Sequence, residues 1–198
     1  MRTKPSRVSF FETKRGKTIP GLLCLVLLSS AWQIRDVDGT ARDLFAPSGP
    51  ANVLLFVASD CPVSNGYAPE IQRICRDYRA KGVTCSLVYE DVGIDKARVR
   101  AHRDEYRYTD IPAVIDGDRT IAARANATVT PQAVVVGPGG VVKYRGRIDN
   151  QYAALGKPRR VVTVHDLRDA LDAVLARRPV ANPETKAFGC FINDLGSR

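Results

Sequence analysis

Five cysteines and two histidines carry most of the chemistry open to this 198-residue chain, and one of them stands out by position. Cys61 follows the apolar run Asn52 to Ser59 (NVLLFVAS) and precedes a stretch with helical spacing. The unsatisfied N–H groups and the dipole at a helix start stabilise negative charge, so a cysteine there can act as a thiolate nucleophile. Asp60 opposes this, because a neighbouring carboxylate disfavours a second anion. A thiolate at Cys61 could attack a peroxide to give a sulfenic acid, or a disulfide to give a mixed disulfide. Either product needs a second thiol to resolve it.

The other thiols differ in context. Cys75 shares an apolar helical face with Ile71 and Ile74, and Cys85 alternates with Val83 and Leu87 in a strand-like run, so both read as buried core residues. Cys190 lies in a Pro- and Gly-containing tail, Asn182 to Phe191, that could fold back over a sheet. It is the candidate resolving thiol, with a tail-docking structural disulfide or an idle thiol as the alternatives. His102 falls in a charged stretch and reads as solvated, and His165 reads as a helix-start residue. With two separated histidines and no Cys-x-x-Cys pair, no standard zinc or haem site can be written, and no metal or other cofactor is expected. Arg124, Arg145 and Arg147 could bring a guanidinium to the thiolate, but surface charge is the simpler reading of each.

The elements that must position Cys61 follow from the pattern. Asn52 to Ser59 is continuous apolar text, as in a strand buried on both faces of a parallel sheet. Tyr67, Ile71, Ile74, Cys75 and Tyr78 define a helix that Lys81-Gly82 stops. Val83 to Tyr89 is a second strand, Asp95 to Tyr108 a mostly exposed helix, and Ala113 to Ile115 a short strand. Gln132 to Val136 and Val141 to Arg147, joined by Gly137-Pro138-Gly139-Gly140, form a hairpin whose glycines serve the turn, not a phosphate. A last helix runs from Asp166 to Arg178, with Thr163 and Asp166 spaced as a capping box. The order β-α-β-α-β, hairpin, helix describes an α/β fold with a central mixed β-sheet flanked by helices.

The formal charge of +9 invites a nucleic-acid reading, but five units of it fall before residue 32. There a basic region precedes the apolar run Leu22 to Leu28 and the small residues Ser29, Ser30 and Ala31, the grammar of a secretory signal peptide. The apolar run is far short of the ~20 residues of a bilayer span, so no permanent membrane anchor is expected. The remaining +4 is spread without a basic stripe, and no nucleic-acid partner is expected. Residues 1–31 are therefore read as a signal peptide, 32–178 as the folded domain and 179–198 as a C-terminal tail. A cleaved leader implies a periplasmic or extracellular protein, an uncleaved one a cytoplasmic protein.

Cys61-Pro62-Val63-Ser64 at a strand-to-helix junction, with Pro69 eight residues after the cysteine, resembles the active-site helix of the thioredoxin superfamily. Thr130-Pro131, leading into Gln132-Ala-Val-Val-Val, resembles that family's cis-proline loop, which faces the active cysteine and shapes the substrate groove. Within the superfamily the stretch from Cys61 to Glu70 is most similar to the peroxiredoxin-like, or redoxin, branch (alkyl hydroperoxide reductase/thiol-specific antioxidant). The resemblance implies a thioredoxin-like fold and a thiol-dependent oxidoreductase acting in redox homeostasis. Cys61 would be its nucleophile, with Pro62 and Ser64 beside it and Thr130 and Pro131 opposite. Its partners would be a thiol reductant or a disulfide-bearing protein, or a peroxide as substrate. Ser64 replaces the second cysteine of Cys-x-x-Cys, and Ala58 and Leu54 stand where the peroxiredoxin pattern has Thr or Ser and Pro. The competing reading is a catalytically inactive thioredoxin-fold module that binds an extended peptide or delivers a metal.

Overall fold

The computed structural model describes residues 33–192; the signal peptide expected over residues 1–31 lies outside them. The chain runs through β1 (Gln33–Arg35), β2 (Ala41–Asp43), β3 (Asn52–Val57), α1 (Pro62–Gly66), α2 (Ala68–Arg79) and β4 (Thr84–Tyr89). It continues with α3 (Lys96–Glu105), β5 (Ala113–Ile115), α4 (Thr120–Ala125), β6 (Val129–Thr130), β7 (Gln132–Val136) and β8 (Val142–Gly146). β9 (Tyr152–Ala154), β10 (Lys157–Pro158), α5 (Asp166–Leu175) and β11 (Cys190–Phe191) complete it.

Five strands form the central sheet in the order β5-β4-β3-β7-β8. β3 pairs parallel with β4 and antiparallel with β7, so the sheet is mixed and the strand that delivers Cys61 is its centre. Because side chains alternate along a strand, β3 feeds two apolar layers. Val53, Leu55 and Val57 meet Ile71 and Ile74 of α2 and Leu167 and Leu171 of α5. Leu54 and Phe56 meet Ile121, Ala122 and Ala125 of α4 with Leu44 and Phe45. All six residues of β3 are buried, and full burial of each large apolar side chain contributes roughly 1.5–3 kcal/mol. Asn52, the polar member, donates to the Leu44 carbonyl and accepts from the Thr84 hydroxyl, both at 2.9 Å.

Most elements lie where the sequence places them, and four departures have physical causes. α1 and α2 are separate helices that break at Tyr67, two residues before Pro69. α3 is exposed over most of its length, as its charge predicts, but not at Val99, His102 and Arg103, which share a buried face. α5 ends at Leu175, and Arg177 with φ of 54° turns the chain away. Thr163 and Asp166 form no capping box, because other partners hold them. Asn150 donates to the Thr163 hydroxyl at 2.8 Å, and Arg147 clamps Asp166 at 2.6 Å.

Cys75 and Cys85 are buried, but they are not free core thiols. They form a disulfide that ties α2 to β4 with their Cα atoms 5.8 Å apart. The cysteine on the last turns of a helix and the one at the start of the returning strand meet where the two elements pack. No helix among the described residues is long and apolar enough to cross a membrane.

Candidate active site

β3 carries the chain to the carboxyl edge of the sheet, where Ala58, Ser59 and Asp60 turn it into α1. Cys61 caps that helix with φ −85° and ψ 112°, and Pro62 follows at its first position, where the missing N–H costs nothing. The Cys61 N–H donates to the Ala58 carbonyl at 3.2 Å, which fixes the turn. Its side chain is fully enclosed, at 0% exposure.

Three elements close over that sulfur. The Thr130-Pro131 peptide is cis, and the Thr130 carbonyl oxygen lies 3.3 Å from Cys61 Sγ, accepting from the thiol in its protonated form. Ser64, one turn into α1, is buried, and its backbone N–H and hydroxyl act on the thiol to lower its pKa. From the tail, Cys190 Sγ approaches Cys61 Sγ to 2.6 Å. The structure thus brings together Cys61, Ser64, Thr130, Pro131 and Cys190, although 129 residues separate the two cysteines.

The tail reaches the site along a tethered path. Arg145 donates its N–H to the Pro183 carbonyl at 2.9 Å, and Thr185 returns one to the Arg145 carbonyl at 3.0 Å. Arg145 also pairs with Glu184, so its charge serves the tail and not the thiolate. Arg147 pairs with Asp166, and Arg124 lies over the Phe45 ring at 4.1 Å. Beyond the tether, β11 pairs antiparallel with β6, Cys190 opposite Thr130 and Phe191 opposite Val129. The Ile192 N–H donates to the Thr128 carbonyl at 3.0 Å.

The two thiols are electrostatically unequal. Burial pushes the Cys61 pKa up, but hydrogen bonds from the Cys190 thiol, the Ser64 N–H and the Ser64 hydroxyl outweigh it, and the net shift is downward. Burial, the hydrogen bond given to Cys61 and the charges of Cys61 and Asp60 push Cys190 up to about 12. Asp60 therefore acts on the tail thiol. Helix α1 has only five residues.

Two buried networks support the loop, and both escape a sequence reading. His102 is 1% exposed, not solvated. Asn65 gives its amide N–H to the Ser59 carbonyl at 3.1 Å, so its Oδ1 accepts from His102 Nε2 at 2.9 Å. That leaves His102 Nδ1 to accept from the Tyr89 hydroxyl at 2.8 Å. A neutral imidazole therefore links α3, β4 and the active-site turn. Ser59 in turn donates both its N–H and its hydroxyl to Asp91, at 2.8 and 2.6 Å. Nearby, Arg119 donates to Glu90 at 2.7 Å. Glu90, Asp91, Asp60, Thr130, Cys190 and Phe191 line an open cleft of about 560 Å³. No group of three or more His, Cys, Asp or Glu among the described residues is placed to hold a metal ion.

No protein-family model and no curated protein sequence matches the chain. Solved structures do. An uncharacterized conserved protein of Geobacillus kaustophilus superposes with a TM-score of 0.72 at 24% identity, covering 84% of this chain and 89% of the other. A hypothetical protein of Sinorhizobium meliloti 1021 gives 0.71 at 24% identity, covering 84% and 92%. A secreted Mycobacterium tuberculosis disulfide oxidoreductase, described as homologous to E. coli DsbE, gives 0.51 at 18% identity over 74% of this chain and 96% of its own. The fold is thioredoxin-like.

Proposed function

We propose that this chain is an exported thiol–disulfide oxidoreductase that cycles Cys61 and Cys190 between dithiol and disulfide. The observation that carries the reading is the 2.6 Å approach of the two sulfurs, held in place by the pairing of β11 with β6. Ser64 occupies the place of the second cysteine in a Cys-x-x-Cys motif, and the tail supplies that thiol from the other side of the active site. A thiol with a lowered pKa against one with a raised pKa is the asymmetry that exchange uses.

Thiol–disulfide exchange is favoured over the peroxiredoxin-like antioxidant role. Cys61 is enclosed, Ala58 offers no hydroxyl to a peroxide, and the nearest group to the sulfur is a second thiol. The paired sulfurs also favour catalysis over an inactive binding module. Export is supported by the leader-like residues 1–31 and by the Cys75–Cys85 disulfide, a bond that persists in oxidising compartments. The partners are then proteins bearing thiols or disulfides.

Equilibration of the full chain in glutathione redox buffers, followed by alkylation and peptide mapping, tests this. The expected result is a reversible Cys61–Cys190 disulfide with a single midpoint, lost in Cys61→Ser and in Cys190→Ser. Free thiols at both positions under every poise would overturn it.

A further inference from the structure

We infer that Cys190, not Cys61, is the sulfur that exchanges with an external thiolate, and that Cys61 is the buried sulfur that leaves and resolves. This rests on the Cys61–Cys190 pair proposed above and assigns each member its role.

Geometry separates the two. A thiolate displaces a disulfide sulfur by approaching it from the side opposite the bond that breaks. Cys61 presents no such side to solvent: its side chain has no exposed surface, and Thr130, Ser64 and Cys190 surround it. Cys190 is partly exposed and lines the open cleft beside Asp60 and Phe191. Phe191, its neighbour in β11, is 79% exposed, so the strand that carries Cys190 is short and faces outward.

The chemistry runs the same way. The incoming thiolate attacks Cys190 Sγ, a partner–Cys190 bond forms, the Cys61–Cys190 bond breaks, and its electron pair stays on Cys61. The surroundings of Cys61, Ser64 among them, favour that charge. A better-stabilised thiolate is the faster leaving group, whereas attack at Cys61 would have to expel the less acidic Cys190. A second thiolate of the partner then attacks the partner's own sulfur in the mixed disulfide. The partner's disulfide forms, and Cys190 leaves, takes a proton from water and returns its hydrogen bond to Cys61. Two electrons pass from the partner dithiol to the protein. In reverse, Cys61 resolves the mixed disulfide by attacking Cys190.

The test uses the oxidised full chain, treated briefly with reduced glutathione, quenched with acid, alkylated and mapped. The expected adduct is glutathione on Cys190 with Cys61 alkylated, in at least about tenfold excess over the converse. As a second arm, reduced Cys61→Ser should accumulate a glutathione adduct at Cys190 on exposure to glutathione disulfide, while Cys190→Ser stays largely unmodified at Cys61. Adducts on Cys61, or equal labelling, would overturn the assignment and leave the pair standing. A chain that forms no Cys61–Cys190 disulfide to begin with would overturn the pair itself.

Discussion

Gly189 lies directly against the Thr130 carbonyl: a methyl group built on Gly189 would overlap that oxygen and press on Pro131 Cδ. Only a residue without Cβ lets the tail approach closely enough for Cys190 to face Thr130 in the β6–β11 register. Gly189→Val should therefore lift β11 off β6. On a Cys190→Ser background, where Cys61 is the one free thiol among the described residues, Cys61 should react with iodoacetamide about tenfold faster or more. Unchanged alkylation, followed by mass spectrometry, would mean that the tail does not gate the sulfur.

The Cys75–Cys85 disulfide closes a loop with a sequence separation of 10 and joins α2 to β4 in the same core layer as the thiol pair, but near the amino ends of β3 and β4, whereas Cys61 follows the carboxyl end of β3. Its loss releases unfolded-state entropy, and we expect the double variant Cys75→Ala, Cys85→Ala to lose about 2–4 kcal/mol in urea denaturation. The midpoint of the Cys61–Cys190 couple should move little. A large shift in that midpoint would show that the disulfide shapes the site.

Periodicity makes the scaffold legible, whereas tertiary juxtaposition hides much of the site. The apolar run of β3, the face of α2 and the β7–β8 hairpin follow from the order of residues along the chain, and Cys61 with Thr130-Pro131 follows from local motifs. Cys190 is a suspect in the sequence because it sits in a small-residue tail, but its partner is set by a strand pairing that no local pattern announces. Gly189 looks like any tail glycine until its neighbour is known. Two misreadings did have a signal. Val99, His102 and Arg103 fall at helical spacing, which marks a buried face even in a charged helix. Four cysteines after residue 31 make an even set that could have been paired.

His102 joins Tyr89 to Asn65, and Asn65 holds the Ser59 carbonyl beside the Cys61 turn. His102→Leu would leave the Tyr89 hydroxyl and Asn65 Oδ1 buried without partners, at a cost of about 1–3 kcal/mol each. His102→Gln, which keeps a donor and an acceptor, should lose less. Burial lowers the folded-state pKa of His102, outweighing the opposite pull of Asp91. The unfolded chain then binds the extra proton first, so the contribution of His102 to stability should fall as pH drops through about 6.5, and His102→Gln should remove that fall relative to the parent. Equal acid sensitivity in thermal melts of both proteins would assign the effect to other groups.

Glu90 titrates in the opposite sense. Burial, then the Asp116 carboxylate, raises its pKa from 4.5 to about 8, while Arg119 pulls the other way. Asp116 accepts from the N–H groups of Ile121 and Ala122 at 3.0 and 2.7 Å, which fixes its carboxylate beside Glu90, and Glu90 is the group that holds a proton. The folded state therefore holds a proton that the unfolded state has released. Stability from this group is complete below pH 4.5 and is lost as pH rises through about 8, with a slope of up to about 1.4 kcal/mol per pH unit. Glu90→Gln keeps an acceptor for Arg119 and removes the titration, so the parent's urea midpoint should decline relative to the variant's as pH rises from 5 to 8, the His102 contribution being common to both. Parallel declines would place the titrating group elsewhere in the fold.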